Sequence, residues 1–148
     1  MVPQLRQTPY RRRDERRRPP GERRTRALME AERFTTPAGS FLPNKAALTP
    51  RGERFLRSVR GKLIAVASLR CDGYGASLRA RPLLVGPLSL ARAKLICAAL
   101  RRLAPGAAPI AAVGRGASHP VASNHSESGR AANRRVVVTV MHRPTRVG

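Results

Sequence analysis

The sequence predicts an α/β domain, a βαβαβ arrangement closed by one further strand, with helices packed on one mixed sheet. Three observations carry this prediction. Hydrophobic residues make up 41% of the 148 residues, enough for one packed domain and too few residues for two. Short apolar runs alternate with segments of helical period, the pattern of helices layered on a sheet. The stretch 135–141 (RVVVTVM) is the strongest strand signal in the chain. No internal repeat is visible.

The elements follow in order. Residues 32–36 (ERFTT) read as a short strand ended by Pro37-Ala38-Gly39. Thr49 is a good N-cap and Pro50 suits the first helical position, where its missing N–H costs nothing. Phe55, Leu56, Val59 and Leu63 follow at helical spacing, so a helix is expected over about 50–61. Residues 63–70 (LIAVASLR) read as a buried strand entering a Gly-rich bend at 71–75. Ser89 is the expected N-cap of the clearest helix, 90–103, whose apolar face carries Leu95, Ala98 and Ala99. Pro105-Gly106 ends it. A short strand is expected at 109–113, then a polar loop over 114–132 with at most one helical turn, then the last strand.

Charge narrows the function classes. The chain holds 30 Lys and Arg against 8 Asp and Glu, a net charge of +22. Residues 1–31 contain Arg triplets and Pro19-Pro20-Gly21 among few apolar side chains, so they are expected to be a disordered, Arg-rich segment; residues 143–148 form a tail. Such a segment, and the basic surplus on the domain, attract polyanions such as nucleic acid, anionic polymers or anionic lipid. Only five aromatic residues occur, which argues against a base-stacking platform. No apolar run approaches the roughly 20 residues that cross a bilayer, and no secretory leader follows Met1. Ser118, Ser123, Ser126 and Ser128 sit in no nucleophile motif, and residues 34–148 hold too few acids for a carboxylate pair. No enzyme and no cofactor are expected. Without a C-x-x-C or a paired-His spacing no metal is expected, and His119, His125 and His142 read as solvated side chains.

Four segments read together resemble the OmpA-like domain, the cell-wall-binding module of bacterial envelope proteins. Gly114-Arg115-Gly116, Pro120, Ala122, Asn124, Arg130 and Asn133-Arg134-Arg135-Val136 resemble the family's closing motif. Leu88-Ser89-x-x-Arg92-Ala93 resembles its L-S-x-x-R-A helix start, and Ala47-Leu48-Thr49-Pro50-x-Gly52 its A-x-L-x-P-x-G, with Phe41 at the preceding aromatic position. The resemblance covers residues 32–142. It implies a non-enzymatic envelope module that binds the diaminopimelate stem of peptidoglycan. It places the ligand carboxylate on Arg92, near a helix N-terminus capped by Ser89, with Tyr74 and Arg134 as further candidate ligand-binding residues. An envelope location without a leader in the sequence implies a start upstream of Met1, or a domain cut from a longer exported gene.

Two departures from the family bear on the ligand. The turn motif falls on Gly73-Tyr74-Gly75-Ala76, so Ala76 stands where the family carries an acid that meets the ligand ammonium. Val85 stands where it carries Asn. Loss of one charge-assisted bond lowers affinity about 10–100-fold. Asp72 is the nearest acid in sequence. Asn133, Arg134 and Arg135 also suit a structural role tying the last strand to the loop before it, and Gly114 and Gly116 suit backbone geometry. Cys71 and Cys97 leave two readings open, a disulfide between strand end and helix or two buried thiols. The rival to wall binding is an electrostatic polyanion binder on the same scaffold.

Overall fold

The computed structural model describes residues 31–77 and 82–144. The elements in chain order are β1 (Ala31–Thr35), α1 (Pro50–Arg60), β2 (Val66–Tyr74), α2 (Pro82–Leu103), β3 (Ile110–Gly114), α3 (Glu127–Asn133) and β4 (Arg135–His142). The four strands form one mixed sheet in the order β1-β4-β2-β3. β4 pairs antiparallel with both β1 and β2, and β2 pairs parallel with β3. A parallel pair needs a long crossover, which α2 supplies.

The Val-rich run at the end of the chain is an interior strand because both of its edges are paired. Its alternate residues Val136, Val138 and Val140 are fully buried. Register sets Val138 opposite Cys71 and Val140 opposite Leu69, so β2 and β4 present one continuous apolar face. Ala93, Ile96, Cys97 and Leu100 of α2 join the same core at helical spacing, with Val59 from α1. Each fully buried Val, Leu or Ile contributes about 1.5–3 kcal/mol. Cys71 and Cys97 are joined by a disulfide, Cα to Cα 6.0 Å, which ties β2 to α2 inside this core.

Two glycines let α2 lie close on the sheet. A Cβ at Gly73 would meet the Ser89 carbonyl, and one at Gly114 would come within 2.8 Å of Leu90 Cβ. The ends of β2 and β3 therefore touch the α2 backbone at the turn that precedes Arg92.

Several elements differ from expectation. α1 forms as predicted, with Thr49 Oγ1 accepting from the Gly52 N–H at 3.3 Å. β2 does not bend at residues 71–75: it runs on to Tyr74, because β4 pairs with it to the end and Gly73 serves helix contact rather than a turn. α2 begins at Pro82, so Ser89 is not an N-cap but an interior residue, bonding back to the Gly86 carbonyl at 2.7 Å. Pro87 sits inside the helix, where it forfeits one backbone hydrogen bond without ending the element. With these added residues, Leu83–Leu103 is long and apolar enough to cross a bilayer, contrary to the sequence expectation. In this fold it is the core helix, its buried face closed by the sheet. The expected polar loop contains α3, capped by Ser126 Oγ on the Gly129 N–H at 3.0 Å. His142 is not solvated: Nδ1 lies 2.8 Å from the Ile64 carbonyl and Nε2 lies 3.2 Å from Glu32. The Arg-rich segment up to residue 30 and the last four residues lie outside the described residues.

Candidate ligand-binding site

A cavity of about 310 Å³ opens where α2, α3 and the segment before α1 converge. Its charged wall is Arg92 from α2 with Glu127, Arg130 and Arg134 from α3 and its C-terminal end. Its apolar wall is Ala76, Val85 and Leu88, with Pro43 and Asn44 at the side.

Arg92 is 1% exposed although it is an arginine. Nε donates to the Lys45 carbonyl at 3.1 Å and Nη2 to the Leu42 carbonyl at 3.0 Å, and the guanidinium lies 5.2 Å from the Phe41 ring. Among the described residues nothing accepts from Nη1, so part of the donor fork is left to the cavity. Burial, and then the charge of Arg134, lower the Arg92 pKa to about 10. It stays protonated at neutral pH, as a cation short of a negative partner. Nearly three turns of α2 precede it, so the helix N-terminus does not supply the positive field expected beside it.

Arg134 reaches the cavity from the residue between α3 and β4. Its Nη2 donates to Glu127 Oε1 at 2.7 Å, while Arg130 Nε donates to Glu127 Oε2 at 3.1 Å. The Glu127 carboxyl is held below the ordinary glutamate range, first by the hydrogen bond and charge of Arg134 and then by Arg130. The frame around these groups comes from Asn133, which is fully buried. Its Oδ1 accepts from the Val121 and Ala122 N–H groups at 2.8 and 3.0 Å, and its Nδ2 donates to the Ala122 carbonyl at 2.9 Å. Arg135 donates to the His119 carbonyl at 2.8 Å and stacks 4.1 Å from the Tyr74 ring.

No protein-family model and no curated protein sequence matches the chain. Solved structures do. The cell wall anchor of the T6SS from Pseudomonas aeruginosa superposes with a TM-score of 0.62 at 26% identity, over 79% of this chain and 90% of that one. The peptidoglycan-associated lipoprotein from Burkholderia pseudomallei gives 0.59 at 23% identity, over 73% and 89%. The OmpA-like domain of FopA1 from Francisella tularensis gives 0.50 at 17% identity, over 80% and 77%. The described residues share an OmpA-like fold.

Within this fold the candidate residues separate into two groups. Arg92 and Arg134 line the cavity. Ser89 and Tyr74 do not line it: Ser89 Oγ accepts from the Gly116 N–H at 3.0 Å, and Tyr74 supports Arg135 and packs edge-on against His119. Ala76 and Val85, the two departures from the family pattern, both fall on the apolar wall. Asp72 is occupied elsewhere, 3% exposed, its carboxylate accepting from Arg70 at 2.9 Å and Arg115 at 3.0 Å. The acid that the sequence reading missed is Glu127. It lies 51 positions beyond Ala76, and only the folding of α3 against the cavity brings it there. The readable signal was Ser126-Glu127 as an N-cap and first-turn acid.

Proposed function

We propose that this OmpA-like domain is a non-enzymatic cell-envelope module that binds peptidoglycan non-covalently through its diaminopimelate-type stem. The observation that carries the reading is the pairing of Arg92 and Arg134 on one cavity, two guanidinium groups whose charges repel each other and whose donors are partly free. A carboxylate seated between them relieves that repulsion and takes charge-assisted hydrogen bonds from both. The ligand's methylene chain then lies along Ala76, Val85 and Leu88. The likeness to structures described as a cell wall anchor and a peptidoglycan-associated lipoprotein supports the same reading. Ala76 leaves the apolar wall without an acid, a loss on the order of 10–100-fold in affinity where no other carboxylate meets the ligand ammonium.

Co-sedimentation with purified sacculi tests the proposal. The wild-type domain is retained, and Arg134→Gln lowers retention at least about tenfold while leaving the thermal midpoint within a few degrees. Arg134 is the better probe because Arg92 also holds the 42–45 segment. Equal retention of wild type and Arg134→Gln removes the cavity from the mechanism.

A second reading has its own observation. α1 exposes Arg51, Arg54, Arg57 and Arg60, a basic row suited to a polyanion. It predicts DNA binding that falls steeply between 50 and 200 mM salt. Sacculus binding through the cavity, with only one or two ionic contacts, loses far less over that range.

A further inference from the structure

We propose that Glu127 is the cation-binding and specificity-determining residue of the cavity, taking the ammonium of a zwitterionic ligand in place of an acid at Ala76. This rests on the wall-binding reading and names the residue that completes it. Among the described residues that line the cavity, Glu127 alone carries a carboxylate. Asp72, the other acid near in sequence, is buried between Arg70 and Arg115 and lines no part of it.

Three features of Glu127 fit the role. Its side chain is 67% exposed, so a ligand reaches it without displacing core. Arg130 and Arg134 take one bond to each carboxylate oxygen, which fixes the group, and no other described residue donates to either oxygen. Arg134 thereby stands between two anionic positions: the Glu127 carboxylate it already holds, and the carboxylate of a ligand shared with Arg92. The charges then alternate around the cavity: Arg92, ligand carboxylate, Arg134, Glu127, ligand ammonium. Among the described residues, three arginines against one acid leave the empty cavity cationic, and a ligand that brings a carboxylate with its ammonium adds nothing to that excess. A bare amine raises it, so the site selects a carbon bearing both groups over an amine alone.

The test uses NMR titration of the full chain with meso-diaminopimelate and with pimelate, which has the same carbon chain and both carboxylates but no ammonium. Wild type binds diaminopimelate about tenfold more tightly than pimelate. Glu127→Gln abolishes the preference by weakening diaminopimelate alone, and Glu127→Asp, which keeps the charge, retains it. Equal affinity of wild type for the two compounds, no binding of diaminopimelate, or a preference that survives Glu127→Gln each overturns the proposal. So does an equal loss for both compounds in Glu127→Gln, the result expected if Glu127 merely positions the arginines. These outcomes are separable from failure of wall binding itself. Sacculus retention that depends on Arg134 but shows no ammonium preference leaves the wall reading standing and removes Glu127 from it.

Discussion

At the residue scale, Arg92 does two jobs with one guanidinium. Two of its donors hold the carbonyls of Leu42 and Lys45, and the residue also lines the cavity. Arg92→Met therefore lowers stability by about 2–4 kcal/mol through two lost charge-assisted bonds, measured by urea unfolding. Arg92→Lys also loses stability, since one ammonium cannot span both carbonyls and the cavity. The pH dependence follows from signs. Arg92 has its pKa lowered to about 10, so it remains a cation at every pH well below that value. Glu127 is lowered from the ordinary range by Arg134 and Arg130, so its charge persists down through that range and is lost only on stronger acidification. Sacculus retention should be flat from about pH 6 to 9, fall as pH drops through the carboxylate range, and fall again above about pH 10. A midpoint near neutrality would point to a histidine instead. Arg92 was legible because a short motif surrounds it. Glu127 was not, because nothing local in Ser126-Glu127-Ser128 tells which side chain the tertiary fold turns toward a cavity.

At the element scale, α2 locates the site, and its seat on the sheet depends on two missing side chains. Gly73→Ala drives a methyl into the Ser89 carbonyl and should cost about 2–3 kcal/mol, with α2 displaced at the turn before Arg92. The disulfide at Cys71 and Cys97 holds the next stretch of the same contact. Replacing both cysteines with alanine should lower stability by about 3 kcal/mol, read as a lower thermal midpoint under oxidising conditions and no difference from wild type under reductant. The sequence announced most of these elements by type. β4 was the plainest because it is interior and needs Val on its core side, while β2 was shortened because Gly73 and Gly75 look like a turn when the partner strand is unseen. The N-terminal eight residues of α2 were lost for a similar reason. Gly86-Pro87 reads as a break, and only tertiary packing shows that the helix tolerates it.

At the scale of the whole molecule, the described domain is a four-stranded sheet with its apolar face under α2 and its cavity at one end of that layer. The basic row of α1 lies outside the cavity lining. The two surfaces can therefore be tested apart. Replacing Arg54, Arg57 and Arg60 together with Gln should reduce DNA binding at 50 mM salt by at least about tenfold and leave sacculus retention unchanged. If that triple variant loses sacculus retention as well, the wall is being held by general charge and not by the cavity. Composition led to the polyanion reading, because +22 on 148 residues attracts anions of many kinds, whereas a motif led to Arg92. Separating them required knowing which arginines are buried beside one another.

Arg134 sits one residue ahead of β4, and β4 is laced to a neighbour along each edge. Arg92 rides on a helix sewn to β2 through sulfur. A molecule gripped by both would transmit a tug to the two inner strands at once, so the domain resists load as a mooring post does, through its middle rather than its rim.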